Sequence, residues 1–306
     1  MAESVHVLIP THERPELLER TLESLAQCTR PKEYDGAIVV ENGSKAGAEA
    51  IVETYQDALQ ARYMYVPRGN KSHALNEALA EIENGLTIFF DDDVRVQRDI
   101  LQAYARAAAD VKGGMFFGGP TRVDYEGEPP EWLAEYLPAS ATGWPEEDRP
   151  DEKTFLGFNW AAFASDLKAC GGFNPTVGPG TLSTGQETEM QRQLLDWGAT
   201  PTYVPDALVW HYVPESRCTP SWVLDRGYRT GIGFGYMLWD VSTTGWTYPA
   251  WVWKGLLKRT GVLCRDGIFG EKHERFGARY RFWEYLGKMR GAKMEREEDS
   301  RAESVL

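Results

Sequence analysis

Gly85-Leu86-Thr87-Ile88-Phe89-Phe90-Asp91-Asp92-Asp93-Val94 is the stretch around which the rest of the chain can be ordered. The residues from Leu86 to Phe90 are apolar or β-branched, which predicts a buried strand. Three carboxylates follow at once, and adjacent like charges disfavour one another's ionised form unless a cation lies nearby. Oxygen ligands at the carboxyl end of a buried strand suit Mg²⁺ or Mn²⁺, and ligands of open α/β sheets bind at that end. The alternative is a solvated acidic turn that caps the next helix.

Strand patterns alternate with amphipathic helix patterns on both sides of this stretch. The predicted strands of this part are Val5–Ile9, Gly36–Val40, Arg62–Val66 and Leu86–Phe90. The predicted helices are a first one that begins at Pro15, then Ala46–Ala61, Ser72–Ile82 and Arg98–Ala109. This alternation favours a largely parallel sheet that is covered by helices on both faces.

The pattern changes after Gly113-Gly114. The segments that follow are a strand in Met115–Val123, an apolar stretch in Phe155–Phe163, a helix in Glu187–Asp196, and short strands in Thr202–Val204 and Ala207–Trp210, which His211 follows. Residues 124–151 carry Trp132 and Trp144 and are expected to form a long loop, of the kind that often acts as a lid or a binding loop. From Pro220 onward, helices are expected to dominate.

Composition narrows the class of protein. A chain of 306 residues is long enough for one large domain or two modest ones, and its net charge of −13 argues against a general nucleic-acid binder. The four cysteines lie far apart without zinc spacing, which predicts reduced thiols in a cytosol. Met1-Ala2-Glu3-Ser4 leads directly into a strand pattern, so we expect no signal peptide. The sequence contains no run of about 18 apolar residues, so we expect no membrane span.

The C-terminal region departs from the acidic character of the chain. Between Lys254 and Arg296, 12 Lys and Arg residues accompany 5 Asp and Glu residues. Four tryptophans lie close together just before this stretch: Trp239, Trp246, Trp251 and Trp253. Aromatic and basic residues together are typical of a segment that contacts anionic lipid, which would place a cytoplasmic protein peripherally on the inner face of a membrane. The alternative is that the tryptophans pack a helical subdomain onto the core.

Six ordered motifs resemble those of the family 2 glycosyltransferases, inverting enzymes with the GT-A fold. The motifs are Val7–Arg14, Val40–Ser44, Lys71–Asn76, Phe90–Asp93, the pair Gly171–Phe173 and Gly185–Met190, and Val209–His211. The resemblance covers residues 5 to 215. It implies an α/β GT-A fold with a Rossmann-like, mostly parallel central sheet flanked by helices, and a helical C-terminal extension. Residues 1–114 would be the nucleotide-sugar-binding half, 115–215 the acceptor-binding and catalytic half, and 216–306 a helical region that contacts a membrane surface or another subunit.

The resemblance also implies which residues bind the donor. They are Thr11, His12, Glu13, Arg14, Glu41, Asn42, Lys71, Asn76, Asp91 and Asp92. Thr11 and His12 would border the nucleobase, and Glu41 or Asn42 would hydrogen-bond the base or the ribose. The family usually has Asp where this chain has Glu41. Lys71, with Arg68 as a second candidate, would meet the pyrophosphate.

Metal binding and proton transfer are assigned by the same resemblance. Asp93 and Asp91, with His211 as the candidate third ligand, would hold Mn²⁺ or Mg²⁺, which stabilises the charge on the departing nucleotide. Glu187 lies where the family has the Asp of Glu-Asp and would act as general base, and Glu189 would replace it if the register is shifted. The residues implied on the acceptor side are Trp160, Gln186 and Glu189.

The function that this resemblance implies is inverting transfer of a sugar from a nucleoside-diphosphate donor, with UDP-sugars favoured, to a glycan or lipid-linked acceptor. No nucleic-acid partner is expected. One alternative is a non-catalytic relative that binds a nucleotide sugar or a glycan, an idea supported by the departures at Gln186 and Glu187. Another is a sugar nucleotidyltransferase, which would need a glycine-rich basic phosphate loop where Thr11-His12-Glu13-Arg14 stands.

Overall fold

The computed structural model describes residues 4–144, 154–239 and 248–303, and the chain divides into two compact units. The first unit comprises Met1–Asp124, Ala139–Gly180 and Gln186–Tyr212. The second comprises Tyr125–Pro138, Thr181–Gly185 and Val213–Leu306. Residues 145–151 of the predicted loop, and Trp246 of the tryptophan group, lie outside the described residues.

The first unit is built on a seven-stranded sheet. The strands of the described chain are β1 (Val5–Thr11), β2 (Tyr34–Asn42), β3 (Ala61–Val66), β4 (Leu86–Phe89), β5 (Val94–Val96), β6 (Met115–Gly118), β7 (Thr121–Tyr125), β8 (Trp160–Phe163), β9 (Thr200–Tyr203) and β10 (Val209–Val213). The large sheet has the order β3-β2-β1-β4-β8-β6-β9, and a small sheet has the order β5-β10-β7. Within the large sheet β8 runs antiparallel to β4 and β6, while the other pairs are parallel. The mostly parallel sheet is therefore confirmed.

Helices cover the sheet and form most of the second unit. The described helices are α1 (Pro15–Ala26), α2 (Ala48–Thr54), α3 (Gln56–Leu59), α4 (Lys71–Ala80), α5 (Ile100–Ala107), α6 (Glu131–Ala134), α7 (Ala139–Thr142), α8 (Ala164–Ala169), α9 (Gln186–Asp196), α10 (Pro220–Leu238), α11 (Ala250–Phe269) and α12 (Lys272–Glu303). Residues of β1 alternate between two apolar clusters: Val7 and Ile9 belong to one, and Leu8 to the other. Because successive side chains of a strand point to opposite faces, each face of the sheet has its own core.

Two predicted segments are each interrupted in the structure. The helix predicted for Ala46–Ala61 is two short helices, α2 and α3, and it ends where Gln60 adopts a left-handed conformation with φ 46°. The single strand predicted for Met115–Val123 is also wrong, because Gly119-Pro120 separates β6 from β7, which belong to different sheets. A Cβ atom at Gly119 would lie 2.2 Å from the carbonyl oxygen of Ala207, so this close approach requires glycine.

Three smaller differences lie around the functional edge of the sheet. Residues Val94–Val96, which follow the aspartates, form a strand that the sequence did not predict. His211 lies inside β10, where it pairs with Val94, and does not follow the strand. The predicted loop 124–151 contains the short helices α6 and α7.

A buried asparagine joins three segments of the first unit. Asn159 is fully buried, and its Nδ2 donates to the carbonyl oxygens of Pro120 (2.9 Å) and Ala207 (2.8 Å). Its Oδ1 accepts a hydrogen bond from the Tyr104 hydroxyl at 2.7 Å. The side chain thus satisfies the polar groups that the break between β6 and β7 leaves in the core.

We expect Asn159→Ala to lower the free energy of unfolding by about 3 kcal/mol, because two carbonyls and one hydroxyl would lose buried partners. Urea denaturation followed by circular dichroism measures the change. Tyr104→Phe removes one of these bonds and should cost about 1 kcal/mol. Equal losses in the two variants would contradict this account of the network.

The second unit is dominated by three long helices. α10 and α12 approach closely at glycines: a Cβ atom at Gly231 would lie 2.2 Å from the Glu284 carbonyl oxygen. α11 packs on α12 through Val252, which is fully buried and whose carbonyl oxygen accepts from the Tyr285 hydroxyl at 2.9 Å. The helical C-terminal region is thereby confirmed. A search of the described residues finds no helix with the length and apolar content that a membrane crossing needs.

Candidate functional site

The predicted donor residues meet where three neighbouring parallel strands end. Thr11 is the last residue of β1, pairs in register with Glu41 of β2, and lies one strand away from β4, which Asp91, Asp92 and Asp93 follow. Because the carboxyl ends of parallel strands share one edge, residues that are distant in the chain become neighbours here.

Arg14 links two of the three aspartates. Its Nη2 lies 2.5 Å from Asp92 Oδ1, and its Nη1 donates to Asp93 Oδ2 at 2.7 Å. The hydroxyl of Thr11 donates to Asp92 Oδ2 at 2.7 Å. The side chains of Asp92 and Asp93 are 0% and 3% exposed. The alternative of a solvated acidic turn is therefore wrong for these two residues.

The burial of these charges shifts their proton affinities. Desolvation by burial, with a contribution from the Asp93 charge, raises the pKa of Asp92 to about 6 although Arg14 and Thr11 act in the opposite sense. Burial by itself would lower the pKa of Arg14, but the attraction of Asp92 and Asp93 outweighs it and raises that pKa. The guanidinium therefore stays charged beside the two carboxyls.

His211 presents one ring nitrogen to Asp93. Its Nδ1 lies 2.6 Å from the carbonyl oxygen of Ser140, which can only accept a hydrogen bond, so Nδ1 carries the proton. In the neutral ring, Nε2 then has a lone pair, and it lies 3.4 Å from Asp93 Oδ1. The ring stacks on Phe158 with centroids 4.3 Å apart, which fixes its plane. Nε2 of His211 and Oδ1 of Asp93, both of them possible metal ligands, thus face each other.

These residues are compatible with a divalent cation. Within residues 4–144, 154–239 and 248–303, no three or more His, Cys, Asp and Glu side chains are grouped so that they alone could hold a metal ion. Mg²⁺, however, is usually bound by one or two carboxylates together with substrate phosphates and water. Asp93 and His211 supply two ligands on one side, so the donor set fits an ion that the substrate helps to bind.

Lys71, Asp91 and Glu187 line one narrow cleft of the first unit, together with Gln186 and Gly157, and this cleft is too small to admit a water molecule. Lys71 Nζ donates to Asp91 Oδ1 at 2.5 Å. Burial would lower the pKa of Lys71, but Asp91 and Glu187 raise it above its ordinary value. A Cβ atom at position 157 would lie 2.7 Å from Glu187 Cγ, so glycine there makes room for the carboxylate side chain.

The residues at the end of β2 are held by the protein itself. The buried Glu41 carboxylate accepts from the backbone N–H of Ala46 at 2.7 Å and from the Tyr63 hydroxyl at 2.6 Å. Asn42 Nδ2 donates to the carbonyl oxygen of Thr11 at 2.8 Å, and His12 Nδ1 lies 2.6 Å from the Asn42 carbonyl oxygen. These bonds join the ends of β1 and β2, so a base-binding role for Glu41 or Asn42 stays a prediction.

The contacts of four other predicted residues are also defined: Asn76, predicted to bind the donor, and Trp160, Gln186 and Glu189, predicted to bind the acceptor. Asn76 exchanges two hydrogen bonds of 2.7 Å with the backbone of Phe173 and so fixes the Gly-Gly-Phe turn. Trp160 is 1% exposed and stacks on Phe89 at 4.6 Å. Gln186 is buried, and Glu189 Oε1 accepts from Asn174 at 2.9 Å. Glu187, and not Glu189, shares the cleft with Lys71 and Asp91.

Two further residues that the sequence suggested for binding the sugar donor, Glu13 and Arg68, are exposed. Glu13 has φ 53°, in the left-handed region, between the end of β1 and α1. Arg68 is exposed as well, whereas Lys71 contacts Asp91, so the structure favours Lys71 as the nearer cation.

Three residues that the sequence reasoning missed complete the site. They are Ser140, Phe158 and Gly157. Ser140 acts through its backbone, which has no signature in a sequence. A glycine inside the apolar stretch Phe155–Phe163 is a signal of close approach that could have been used for Gly157.

The raised pKa of Asp92 predicts a pH dependence of stability. A carboxyl whose pKa is higher in the folded state binds its proton more tightly there, so its stabilising contribution is complete below about pH 4 and is lost as pH rises through about 6. We expect Asp92→Asn, which cannot ionise, to raise the free energy of unfolding at pH 7.5 by on the order of 2 kcal/mol.

Thermal melts from pH 4 to pH 8 test this expectation, and the advantage of Asp92→Asn should shrink as the solution is acidified. Asp110→Asn, at an exposed carboxylate, is the matched control and should leave the melts unchanged. A constant difference between wild type and Asp92→Asn at every pH would contradict the assignment.

Comparisons with known proteins agree with this geometry. Residues 6–167, more than half of the chain, match the model of the family described as Glycosyl transferase family 2. The chain is 30% identical over 284 residues to the succinoglycan biosynthesis protein ExoM of Rhizobium meliloti (strain 1021), with 86% of each chain covered.

Solved structures are similar in fold. The mannosyltransferase PcManGT of Pyrobaculum calidifontis, in complex with GDP-Man and Mn²⁺, superimposes with a TM-score of 0.59 at 19% identity, covering 96% of this chain and 87% of that one. GalNAc-T7 with UDP, GalNAc and Mn²⁺ gives a TM-score of 0.55 at 14% identity, covering 78% and 49%. With the strand order and the motifs already described, the chain belongs to glycosyl transferase family 2 and is a glycosyltransferase with the GT-A fold.

Proposed function

We propose that the chain transfers a sugar from a nucleoside-diphosphate donor to a glycan or lipid-linked acceptor with inversion at the anomeric carbon. The observation that supports this most directly is that Lys71, Asp91 and Glu187 lie side by side at the carboxyl edge of the sheet. This arrangement brings a cation for a diphosphate and a carboxylate for an acceptor hydroxyl into one place.

The charge balance of the site supports a cation-assisted diphosphate. Four carboxylates, those of Asp91, Asp92, Asp93 and Glu187, lie among two cationic side chains, Arg14 and Lys71. The surplus of two negative charges would repel a diphosphate unless a divalent cation came with it. Both similar structures named above contain Mn²⁺, and we propose Mn²⁺ or Mg²⁺ for this protein.

Asp93 and His211 would hold this ion, with Asp91 at the rim of the same cluster. When bound, the ion supplies electrophilic stabilisation of the diphosphate leaving group. Arg14 keeps the Asp93 carboxylate oriented by its bond to Oδ2, so that Oδ1 faces His211. Lys71 contributes a second positive charge for the phosphates on the side of Asp91.

Glu187 would accept the proton of the acceptor hydroxyl. As the acceptor oxygen bonds to the anomeric carbon, the bond from that carbon to the diphosphate oxygen breaks, and the hydroxyl proton passes to the Glu187 carboxylate. A single displacement from the face opposite the leaving group inverts the anomeric centre.

The similar proteins support the proposed classes of donor and acceptor. The nucleotides named in the two similar structures, GDP-Man and UDP, are both diphosphates, and we retain UDP-sugars as the favoured donors. The name of the ExoM protein places it in the biosynthesis of a polysaccharide, succinoglycan. We therefore propose polysaccharide assembly, on a glycan or lipid-linked acceptor, as the setting of this reaction.

We expect Glu187→Gln to reduce turnover by about 100- to 10,000-fold, the usual contribution of a general base, and to leave donor binding unchanged. Glutamine keeps the shape of the side chain but cannot accept the proton. Slow hydrolysis of UDP-glucose and GDP-mannose in Mn²⁺ measures turnover without a known acceptor, and calorimetry measures binding.

Glu189→Gln is the matched control two residues further along α9. If it abolishes hydrolysis while Glu187→Gln does not, the base is Glu189. Hydrolysis that stays at the wild-type rate in both variants would remove a glutamate base from the mechanism.

We expect Asp93→Ala to weaken the Mn²⁺-dependent part of UDP or GDP binding by on the order of 100-fold or more, because it removes a direct metal ligand. Calorimetric titrations with each nucleotide, in Mn²⁺ and in EDTA, separate the metal-dependent part. Asp93→Asn keeps the side-chain volume beside Arg14. It shows whether weaker nucleotide binding by Asp93→Ala is caused by misfolding.

Asp110→Ala changes the net charge equally at an exposed site and should bind like the wild type. A full Mn²⁺ effect in both Asp93 variants would show that Asp93 does not hold the ion. Absence of any Mn²⁺ effect in the wild-type protein would contradict the proposed metal dependence itself.

A further inference from the structure

The helix α11 of the second unit has one face in the protein and one in solvent. Its inner face packs on α12 through the fully buried Val252 and through Arg259, whose guanidinium lies 4.0 Å above the Tyr285 ring. On the other side of the helix, Trp253 contacts Tyr248 with ring centroids 6.0 Å apart, and Leu257, Cys264 and Ile268 are exposed. Five of the nine large apolar side chains that the described chain exposes lie on this one helix: Trp251, Trp253, Leu257, Ile268 and Phe269.

Three of these five residues, together with the exposed Cys264, are ordered along the helix. Trp253, Leu257, Cys264 and Ile268 recur at intervals of four, seven and four residues, which places them in one strip on a helix of 3.6 residues per turn. Leu257 and Ile268 are 70% and 68% exposed. A packed helix of a globular protein would bury such a strip, so the strip marks an interaction surface.

A basic strip runs beside the apolar one. Lys254, Lys258 and Arg265 each follow a member of the apolar strip by one position, and all three are exposed. The acidic residue of α11, Asp266, is buried and paired with Arg265. In a chain whose net charge is −13, this helix carries four basic residues and one acidic residue.

We propose that the outer face of α11, formed by Trp253, Leu257, Cys264 and Ile268 with Lys254, Lys258 and Arg265, binds flat on an anionic lipid surface. Apolar side chains would enter the boundary between headgroups and acyl chains, while the adjacent basic side chains meet lipid phosphates. The inference concerns where the protein acts and does not depend on the donor or on the catalytic base.

Charge argues against a second copy of the chain as the occupant of this face. A two-fold partner would present the same face, so three basic side chains of one copy would approach those of the other. An anionic membrane neutralises the basic strip and covers the apolar strip at the same time. Lipid is therefore the occupant that satisfies both strips.

Sedimentation of the full chain with vesicles tests the proposal. We expect binding to vesicles of phosphatidylcholine with phosphatidylglycerol at low salt, weaker binding at high salt, and little binding to phosphatidylcholine alone. The double variant Lys254→Gln/Lys258→Gln should bind roughly 25-fold more weakly, about five-fold for each lysine. Lys32→Gln/Lys112→Gln changes the net charge equally at exposed sites of the first unit and should bind like the wild type.

A label on the exposed Cys264 thiol gives a second measurement. In a Cys170→Ser background, Cys28 and Cys218 are buried and Cys264 is the exposed thiol. The fluorescence of an environment-sensitive dye on Cys264 should increase and shift to the blue when anionic vesicles are added. The same dye on Lys32→Cys, with Cys264→Ser added, should not respond.

The results that would overturn the proposal are equally definite. Failure to sediment with anionic vesicles at low salt would do so, and so would equal losses in the two double variants. A concentration-dependent dimer that Leu257→Asp dissociates, without vesicle binding, would assign the face to a second copy of the chain. Donor hydrolysis in the absence of lipid is a separate readout, so failure here leaves the proposed reaction intact.

Discussion

The guanidinium of Arg14 allows two adjacent aspartates to be buried at the end of β4. Asp92 and Asp93 are adjacent, charged and buried, an arrangement that is costly unless each charge has a well-oriented partner. Arg14 spans both carboxylates with its planar guanidinium: Nη1 donates to Asp93 Oδ2, and Nη2 forms an ion pair with Asp92 Oδ1 at 2.5 Å. Because Arg14 directly precedes α1, the ion pairs also fix how the chain leaves β1 and enters that helix, including the left-handed residue Glu13.

The charged groups at this edge of the sheet differ in their partners. Thr11 and Arg14 satisfy Asp92, and the Ser140 carbonyl and Phe158 ring orient His211. Such supporting contacts hold functional groups in place before a ligand arrives. Lys71 and Asp91, by contrast, form an ion pair with each other, 2.5 Å between Nζ and Oδ1.

Much of this could be read from the sequence, and the exceptions have physical causes. The apolar run Leu86–Phe90 and the carboxylates after it were enough to place the edge of the sheet. Contacts made by backbone atoms, such as that of Ser140 with His211, leave no trace in residue identity. The break between β6 and β7 depends on the approach of the Ala207 carbonyl to Gly119, which is a long-range contact. Patterning showed aromatic and basic residues in the C-terminal region, but only the fold shows which side of α11 remains uncovered.

The reversed strand β8 has a consequence for how the protein is made. It lies between β4 and β6, yet residues 160–163 are synthesised after both. Until they emerge from the ribosome, β4 and β6 each have one backbone edge without its partner strand, and such edges can pair with other chains. The sheet can therefore close between its two halves only after the last of its central strands has been translated.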